Sequence, residues 1–518
     1  MKLTITIILN LCIVALGFSQ NILSRKPYLQ KMGADQVTIH WRTLDAGTAS
    51  VKYGTDANNL NLESINESPS TLEHVVQLSD LNANTMYYYQ ILINGNEIGD
   101  VSEQFFATAP KHSSKDELHF WVIGDAGTGN QTQIDVLNAY LNYTDKKDPD
   151  LTLMLGDNAY FTGLDLEYQT NLFDIYSSFY THVPFFTAFG NHDSYSTNPL
   201  TETGAYFSNF DLPSNGELGG EPSNTKAYYS FDYGNVHIIS LDANMLQNLL
   251  KPGIMIDWLK KDLEQNKQDW TIAIWHHPPY TKGSHDSDAE DELIHMREVI
   301  NPILEEYGVD LGLGGHSHNY ERSHLINGHY GMSETFNPEE HIVRNGTNSD
   351  NHFLKLNKKG TMYIVNGNSG GQVSSGNMDH PSTAFSSGLP GSMLLDIVGD
   401  EMRGRYLDSD GNLIDEFTLR KPAVTGVQEI ESKAYQLSVI SSPTDKELNV
   451  KYYLPKQTKA NLILRDLTGK EIHKTNLNQS SGFHHETINS SKLQSGIYIL
   501  SLTNDFQTLE TIKIQLLR

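Results

Sequence analysis

Cysteine is all but missing from this chain, with one residue, Cys12, among 518. It lies inside the apolar run Ile5–Leu16 of the opening segment MKLTITIILNLCIVALGFS. A lone Lys2, that run, and then Gly17-Phe18-Ser19 read as a secretory signal peptide over residues 1–19. Cleavage after Ser19 would leave Gln20 first and no cysteine behind. That excludes a disulfide framework, a cysteine nucleophile and a cysteine-ligated metal. Positive charge is scarce as well: 37 Lys and Arg stand against 63 Asp and Glu, a formal net charge of −26. A field of that sign repels phosphate backbones and excludes nucleic acid or an anionic membrane as a bulk electrostatic partner, although a buried cationic site could still attract a small phosphate. No second long apolar stretch follows the first, so no integral membrane segment is expected in the mature form.

What the chain does have is five apolar runs that each end at a metal-binding residue. The strings are WVIGDAG, LMLGDNAY, TAFGNHD, IAIWHH and LGLGGHSH, and they deliver Asp125, Asp157, Asn191, His276 and the pair His316/His318. Short apolar runs of this kind predict buried strands, and the polar residues fall at their carboxyl ends, where open α/β sheets collect ligand-binding groups. A single Asp behind a strand is ordinarily a turn or helix-capping residue. Hard oxygen donors and imidazoles at five successive strand ends instead suit a two-metal hydrolytic centre.

The length predicts about three domains. Residues 22–109 show short alternating strands (VTIHWRT, ASVKYG, HVVQLSDL, MYYYQILI) broken by turns such as Asn94-Gly95-Asn96, the pattern of a small β-sandwich with Trp41 and Tyr87–Tyr89 in its core. Residues 115–420 alternate strands with helical segments, as in a layered α/β domain. Helices are expected over Ile254–Asn266 and Glu292–Gly308, and helical spacing over Leu166–Tyr180, with long surface loops at 194–226 and 330–352. Residues 421–430 read as a linker. Residues 431–518 return to β character, with a turn at Asp466–Gly469 and His484-His485 expected as an exposed pair in a loop.

Together the blocks GDAG (Gly124–Gly127), GDNAY (Gly156–Tyr160), GNHD (Gly190–Asp193), His276-His277-Pro278 and GHSHNYER (Gly315–Arg322) resemble the purple acid phosphatase branch of the metallophosphoesterases. Tyr160, three residues after Asp157, and YER directly after His318 carry the narrower part of the likeness. PYLQ, VTIHWRT, VKYG and FATAP resemble the fibronectin-III-like amino-terminal domain of the same enzymes. The resemblance implies a multidomain protein: an all-β fibronectin-III-like sandwich, a four-layer αββα metallophosphoesterase domain and a further all-β region. It also implies a dinuclear centre of Fe³⁺ and a divalent metal (Zn, Fe or Mn). Asp125, Tyr160 and His318 would hold the first, Asn191, His276 and His316 the second, with Asp157 bridging. A phenolate is a hard anionic donor suited to Fe³⁺, and its charge-transfer band would colour the protein. The implied reaction is hydrolysis of small-molecule phosphate monoesters by a metal-activated hydroxide. His192, Asp193 and, by looser positional likeness, His285 are the catalytic candidates. Glu321 and Arg322 fit a bracing role as well as a substrate contact.

The tail, through SSPTDKELNVKYYLP, LRDLTGKEI and LQSGIYILSL, resembles the carboxy-terminal sorting domain of type IX secretion, though Ile440-Ser441-Ser442-Pro443 replaces the usual aromatic-Pro-Asn-Pro opening. It implies the type IX machinery as a partner and passage through the periplasm to the cell surface or medium. Two other functions stay open at this point. One is a phosphodiesterase or nucleotide hydrolase with the same centre. The other is a surface-binding protein with a vestigial site, which the intact set of seven ligands argues against.

Overall fold

The computed structural model describes residues 23–65, 70–244, 253–344, 351–356, 358–372, 374–421, 437–439, 447–454, 457–504 and 508–516. The expected signal peptide with Cys12, nearly all of the expected linker and the Ile440–Pro443 segment lie outside them. The chain forms two compact units, residues 1–422 and 423–518.

The first unit opens with two small sheets. Leu23–Gln30, Val37–Gly47 and Thr71–Leu78 form one; Leu62–Ile65, Ala49–Gly54, Met86–Ile93 and Asn96–Ile98 form the other, with Phe105–Ala107 added to Met86–Ile93. Trp41, Tyr87 and Tyr89 are buried and belong to the core as expected, but Tyr88 between them points to the other face of its strand and is only half-buried. Asn94 and Gly95 both have positive φ (50° and 79°), the conformation that a two-residue hairpin turn requires. This module is fastened to the rest of the unit by polar contacts. The buried Arg25 donates to Asn209 Oδ1 (2.6 Å) and Gln169 Oε1 (2.8 Å) and lies 3.9 Å over the Phe173 ring. Arg42 reaches Asp165 through two N–H groups, at 2.7 and 2.9 Å.

Two seven-stranded sheets make up the body. The first runs in the order Phe185–Thr187, Leu151–Met154, Leu118–Ile123, Gly391–Val398, Glu401–Asp408, Leu413–Arg420, His352–Leu354. The second runs Tyr229–Tyr233, Val236–Ser240, Trp270–Ile274, Leu311–Gly314, Thr361–Asn366, Tyr320–Ile326, Thr383–Ser387. They pack face to face: the Phe186 and Phe231 rings stack 3.9 Å apart, and Asn366 Nδ2 donates across to the Val122 carbonyl at 3.0 Å. Strands covered on both faces need apolar residues at nearly every position, which is why these runs do not alternate. Helix Gln131–Tyr143 lies against the outer face of the first sheet, with Tyr140 4.9 Å from Trp121. Helices Ile254–Gln265 and Asn301–Tyr307 cover the second, giving the αββα layering.

Helix Ile254–Gln265 is tied down by a buried ionic triad. His237 Nε2 meets Asp262 Oδ2 and His237 Nδ1 meets Asp232 Oδ1, both at 2.7 Å. Burial pulls the His237 imidazolium down, but the two carboxylates outweigh that and push it up to about 9.

Several local expectations are revised. The expected helix Glu292–Gly308 is interrupted: Asp291–His295 and Asn301–Tyr307 are α-helical, and Met296–Ile300 between them is a π turn. Gly308 closes it at φ 77°. Leu166–Tyr180 likewise holds only the α-turn Asp165–Tyr168 and the π turn Gln169–Phe173 before irregular turns, although Phe173, Tyr176, Phe179 and Tyr180 keep the spacing of one buried helix face. Lys421 is no linker residue. Its N–H donates to the Asp400 carbonyl (2.9 Å), its ammonium to Asp310 (2.6 Å), and it lies 4.4 Å over the Trp270 ring.

The second unit has sheets Ser438–Val439, Glu447–Leu454, Gly482–Asn489 and Glu471–Gln479, Thr458–Asp466, Gly496–Thr503, Thr508–Leu516, around its own core of Leu448, Val450, Leu462, Leu464, Leu500 and Leu502. The Asp466–Gly469 turn is closed by Gly469 N–H to the Asp466 carbonyl at 3.0 Å. His484 and His485 are not in a loop: they belong to strand Gly482–Asn489, paired with Tyr452 and Lys451.

Candidate metal centre

The candidate ligands converge because parallel register aligns the strand ends. Met154 pairs with both Ile123 and Thr187, so Asp125, Asp157 and Asn191 leave one edge of the first sheet together. Ile274 pairs with Leu313, which brings His276 and His316 off the same edge of the second sheet. The chain must then turn sharply. Asp125, Asp157 and His316 take φ of 55°, 53° and 65°, a left-handed conformation uncommon outside glycine and concentrated at functional sites. Gly156 (φ 93°) makes room for this, since a Cβ there would lie 2.6 Å from His276 Nδ1.

Two donor groups form. In one, Tyr160 Oη lies 2.9 Å from Asp125 Oδ1 and 3.5 Å from His318 Nε2, and His318 Nε2 lies 3.7 Å from Asp125 Oδ1. In the other, Asn191 Oδ1 lies 2.9 Å from His276 Nε2 and 3.1 Å from His316 Nδ1. Asp157 Oδ1 sits 3.3 Å from His276 Nε2, and donor atoms of Asp125, Asp157 and His276 all fall within 4.8 Å of one another. All seven expected ligands are therefore brought together.

Hydrogen bonding behind the imidazoles decides which nitrogens face inward. His276 Nδ1 donates to the Leu155 carbonyl at 2.9 Å, which turns Nε2 toward Asn191 Oδ1 and Asp157. His316 Nε2 faces Glu290 at 3.4 Å, which leaves its Nδ1 lone pair toward Asn191 Oδ1. Burial lowers both His316 and His318 to about 4, so both are neutral donors at ordinary pH. Between His316 Nδ1 and Asn191 Oδ1 a lone pair thus opposes a lone pair across 3.1 Å, an arrangement that a cation between them resolves.

The charges say the same. Among the described residues, Asp125 and Asp157 have ion-pair partners only in imidazoles, never in Lys or Arg. Burial pushes the Asp125 carboxyl well up, and the neighbouring Asp157 charge adds to it. Burial, with Asp125 and Asp157 next, also drives the Tyr160 phenol far above its ordinary range. For Asp157 burial acts upward, but His276 and the His192 N–H win and hold its carboxyl low. Without a cation the compensating charge rests on His276, which burial lowers but Asp157 and Asp125 raise to about 9. Four oxygen donors and three imidazoles, buried or half-buried with no Lys or Arg paired to the carboxylates, fit a pair of metal ions.

The three catalytic candidates separate. His192 lies at the mouth of the centre, its ring 4.4 Å from Tyr160; Nδ1 is occupied by the Phe161 carbonyl at 2.7 Å, and Nε2 is 3.9 Å from Asp157 Oδ2. His285 stacks 3.7 Å from the His316 ring and meets Glu290 at 2.9 Å. Asp193 does not face the centre. It is fully buried and accepts from Gly190 N–H (2.9 Å), Asn158 Nδ2 (2.8 Å) and Tyr168 Oη (2.5 Å), bracing the two ligand turns from behind. Glu321 and Arg322 brace too: Glu321 accepts from Asn319 Nδ2 at 2.8 Å, and Arg322 holds Asp415 at 2.6 and 2.9 Å. Glu290 is the residue that sequence reasoning missed. A metal-bound imidazole has a carboxylate, a backbone carbonyl or a water behind it, and Asp286, Asp288, Glu290, Asp291 and Glu292 lie so close together in the chain that nothing in the string singles one out.

Comparison with known proteins finds three family matches along the chain. Residues 118–320 match the calcineurin-like phosphoesterase family, residues 26–109 the purple acid phosphatase N-terminal domain, and residues 439–515 a secretion system C-terminal sorting domain. Purple acid phosphatase 15 of Arabidopsis thaliana is 30% identical over 291 residues, 50% of each chain. Probable purple acid phosphatase 20 of the same plant is 29% identical, over 57% of this chain and 68% of its own. The chain thus spans about half the length of the first of these relatives. A purple acid phosphatase from yellow lupin (Lupinus luteus) seeds shares the fold at a TM-score of 0.59 and 19% identity, covering 78% of this chain and 76% of its own.

Proposed function

We propose that this chain is an exported phosphatase that hydrolyses small-molecule phosphate monoesters at a dinuclear centre. The observation that carries the reading is the partition of seven donors into two sets meeting at Asp157, with one ring nitrogen of each imidazole turned inward. Asp125, Tyr160 and His318 would hold Fe³⁺, and Asn191, His276 and His316 a divalent ion (Zn, Fe or Mn), with Asp157 shared. The phenol of Tyr160, buried and resistant to ionisation by itself, supports a trivalent partner as the charge that removes its proton. Bound there, two cations supply Lewis acidity toward a phosphate oxygen and lower the pKa of a water.

The chain's own side chains do the rest. His192, its Nδ1 fixed on the Phe161 carbonyl, presents Nε2 to the mouth, where it can hold a proton for the departing ester oxygen. His285, oriented by Glu290, can donate to a phosphate oxygen at the opposite rim. Asp193 acts as a positioning residue and not as an acid or base. The sorting-domain match at residues 439–515 supports export through the type IX machinery, across the periplasm to the surface or medium, with the tail taking no part in catalysis.

Metal analysis combined with a substrate panel tests this reading. About two metal ions per chain and faster hydrolysis of aryl and alkyl monoesters than of bis-aryl diesters are expected. Diester turnover faster than monoester turnover would replace the reading with a phosphodiesterase, and wild-type rates in Asn191→Ala would end the two-metal assignment.

A further inference from the structure

Two aromatic rings stand in solvent beside His192. Phe161 is 75% exposed and Tyr195 is 63% exposed, whereas most aromatic residues of the body are buried. Single exposed apolar residues are ordinary. These two are not scattered: their ring centres lie 6.5 and 5.1 Å from the same His192 ring. Each is attached to one donor set. Phe161 follows Tyr160 directly, and the Tyr195 hydroxyl is 3.5 Å from Asn191 Nδ2.

The rim is also rigid. Glu167 accepts from the N–H groups of Phe161 (2.8 Å), Thr162 (2.9 Å) and Leu164 (3.0 Å), which pins the turn that carries Phe161. Two residues before Glu167, Asp165 is gripped by Arg42 of the amino-terminal module. On the other side, Ser196 Oγ donates to the Gly163 carbonyl and joins the turn to the segment that bears Tyr195. A fixed pair of rings exposed at a charged mouth costs hydration without contributing to the core. It gains contact only when something flat and apolar is brought to the mouth.

We propose that Phe161 and Tyr195 determine specificity and select phosphate monoesters whose alcohol portion carries a planar aromatic ring. This inference rests on the phosphatase reading above. With the phosphoryl group at the metals and the ester oxygen toward His192, the alcohol portion leaves the site past His192, beside the two rings. An aromatic group there finds aromatic surface to pack against, and an aliphatic or sugar portion gains less from it.

The test compares esters with the same reacting oxygen: adenosine 5′-monophosphate against ribose 5-phosphate, and benzyl phosphate against ethyl phosphate. For wild-type, metal-loaded full chain, kcat/KM should favour the ring-bearing member of at least one pair. Phe161→Ala and Tyr195→Ala should each lower that ratio roughly 2- to 10-fold, mainly through KM, and Phe161→Trp should restore it. Using the ratio cancels any loss of fold or metal common to both esters. Equal rates within both pairs for the wild type, or ratios unchanged in the double alanine variant, would overturn the inference while leaving the phosphatase standing. A wild type that cleaves none of the four esters would refute the phosphatase reading and this inference with it.

Discussion

Glu290 stands directly behind His316, its Oε2 3.4 Å from Nε2, while the other nitrogen of the same ring lies 3.1 Å from Asn191 Oδ1. The same carboxylate holds His285 at 2.9 Å. One acidic side chain therefore orients both the imidazole proposed to hold the second metal and the one proposed to meet the phosphate. Glu290→Gln should cost roughly 10- to 100-fold in metal affinity or activity, the usual effect of losing such a partner. Isothermal titration of the metal-free variant with Zn²⁺, alongside the wild type, reads the first directly. Unchanged affinity and rate would show that His316 needs no support from behind.

Tyr160→Phe removes the phenol oxygen that sits 2.9 Å from Asp125 and leaves the ring packing intact. The metal-loaded wild type should show a visible absorption band and the variant none, with near-identical circular dichroism. A colourless wild type that contains two metals and is fully active would exclude the Fe³⁺–tyrosinate assignment.

The His237 triad makes stability depend on pH away from the metals. Its folded-state pKa, about 9, lies above the unfolded value of 6.5. The stabilisation is therefore complete below about pH 6.5 and disappears as pH rises toward 9, with a full value of about 3 kcal/mol at 1.36 kcal/mol per unit. Urea unfolding of the metal-loaded protein at pH 6, 7.5 and 9 should show this decline, and His237→Gln should flatten it. Parallel pH profiles for the two proteins would remove His237 from the account.

Arg25 is buried and spends its guanidinium on Asn209, Gln169 and the Phe173 face. Arg25→Ala leaves those acceptors without a donor and should destabilise the first unit by about 2–3 kcal/mol. Its ion pair to Asp165 adds little, because that carboxylate is 47% exposed. Differential scanning calorimetry measures the shift, and limited proteolysis near residue 110 should speed up if the junction loosens.

Much of the site was legible in the sequence because strand-end ligands need only a local signal, an apolar run and the donor after it. Asp125, Asp157, Asn191, His276, His316 and His318 all carry that signal, whereas Tyr160 was reached through the resemblance of GDNAY to a known family. Glu290 does not, since its role depends on a loop folding back on His316, a contact 26 residues away in the chain. Asp193 was misleading for a related reason. Adjacent to His192 in the chain, it points the opposite way, because the short helix Asn191–Ser194 rotates successive side chains by about 100°. The π turn at Met296–Ile300 was hidden because its residues keep the composition of a regular helix.

The donors come from both sheets: Asp125, Asp157 and Asn191 from the first, His276, His316 and His318 from the second. Neither sheet alone offers a complete set for either ion. Metal uptake is thus a reporter of tertiary closure: an unfolded or half-docked chain has only fragments of a chelator. Cations bound there would act as a clasp across the two seven-stranded sheets, and their removal should loosen the seam between the layers before it disturbs either layer.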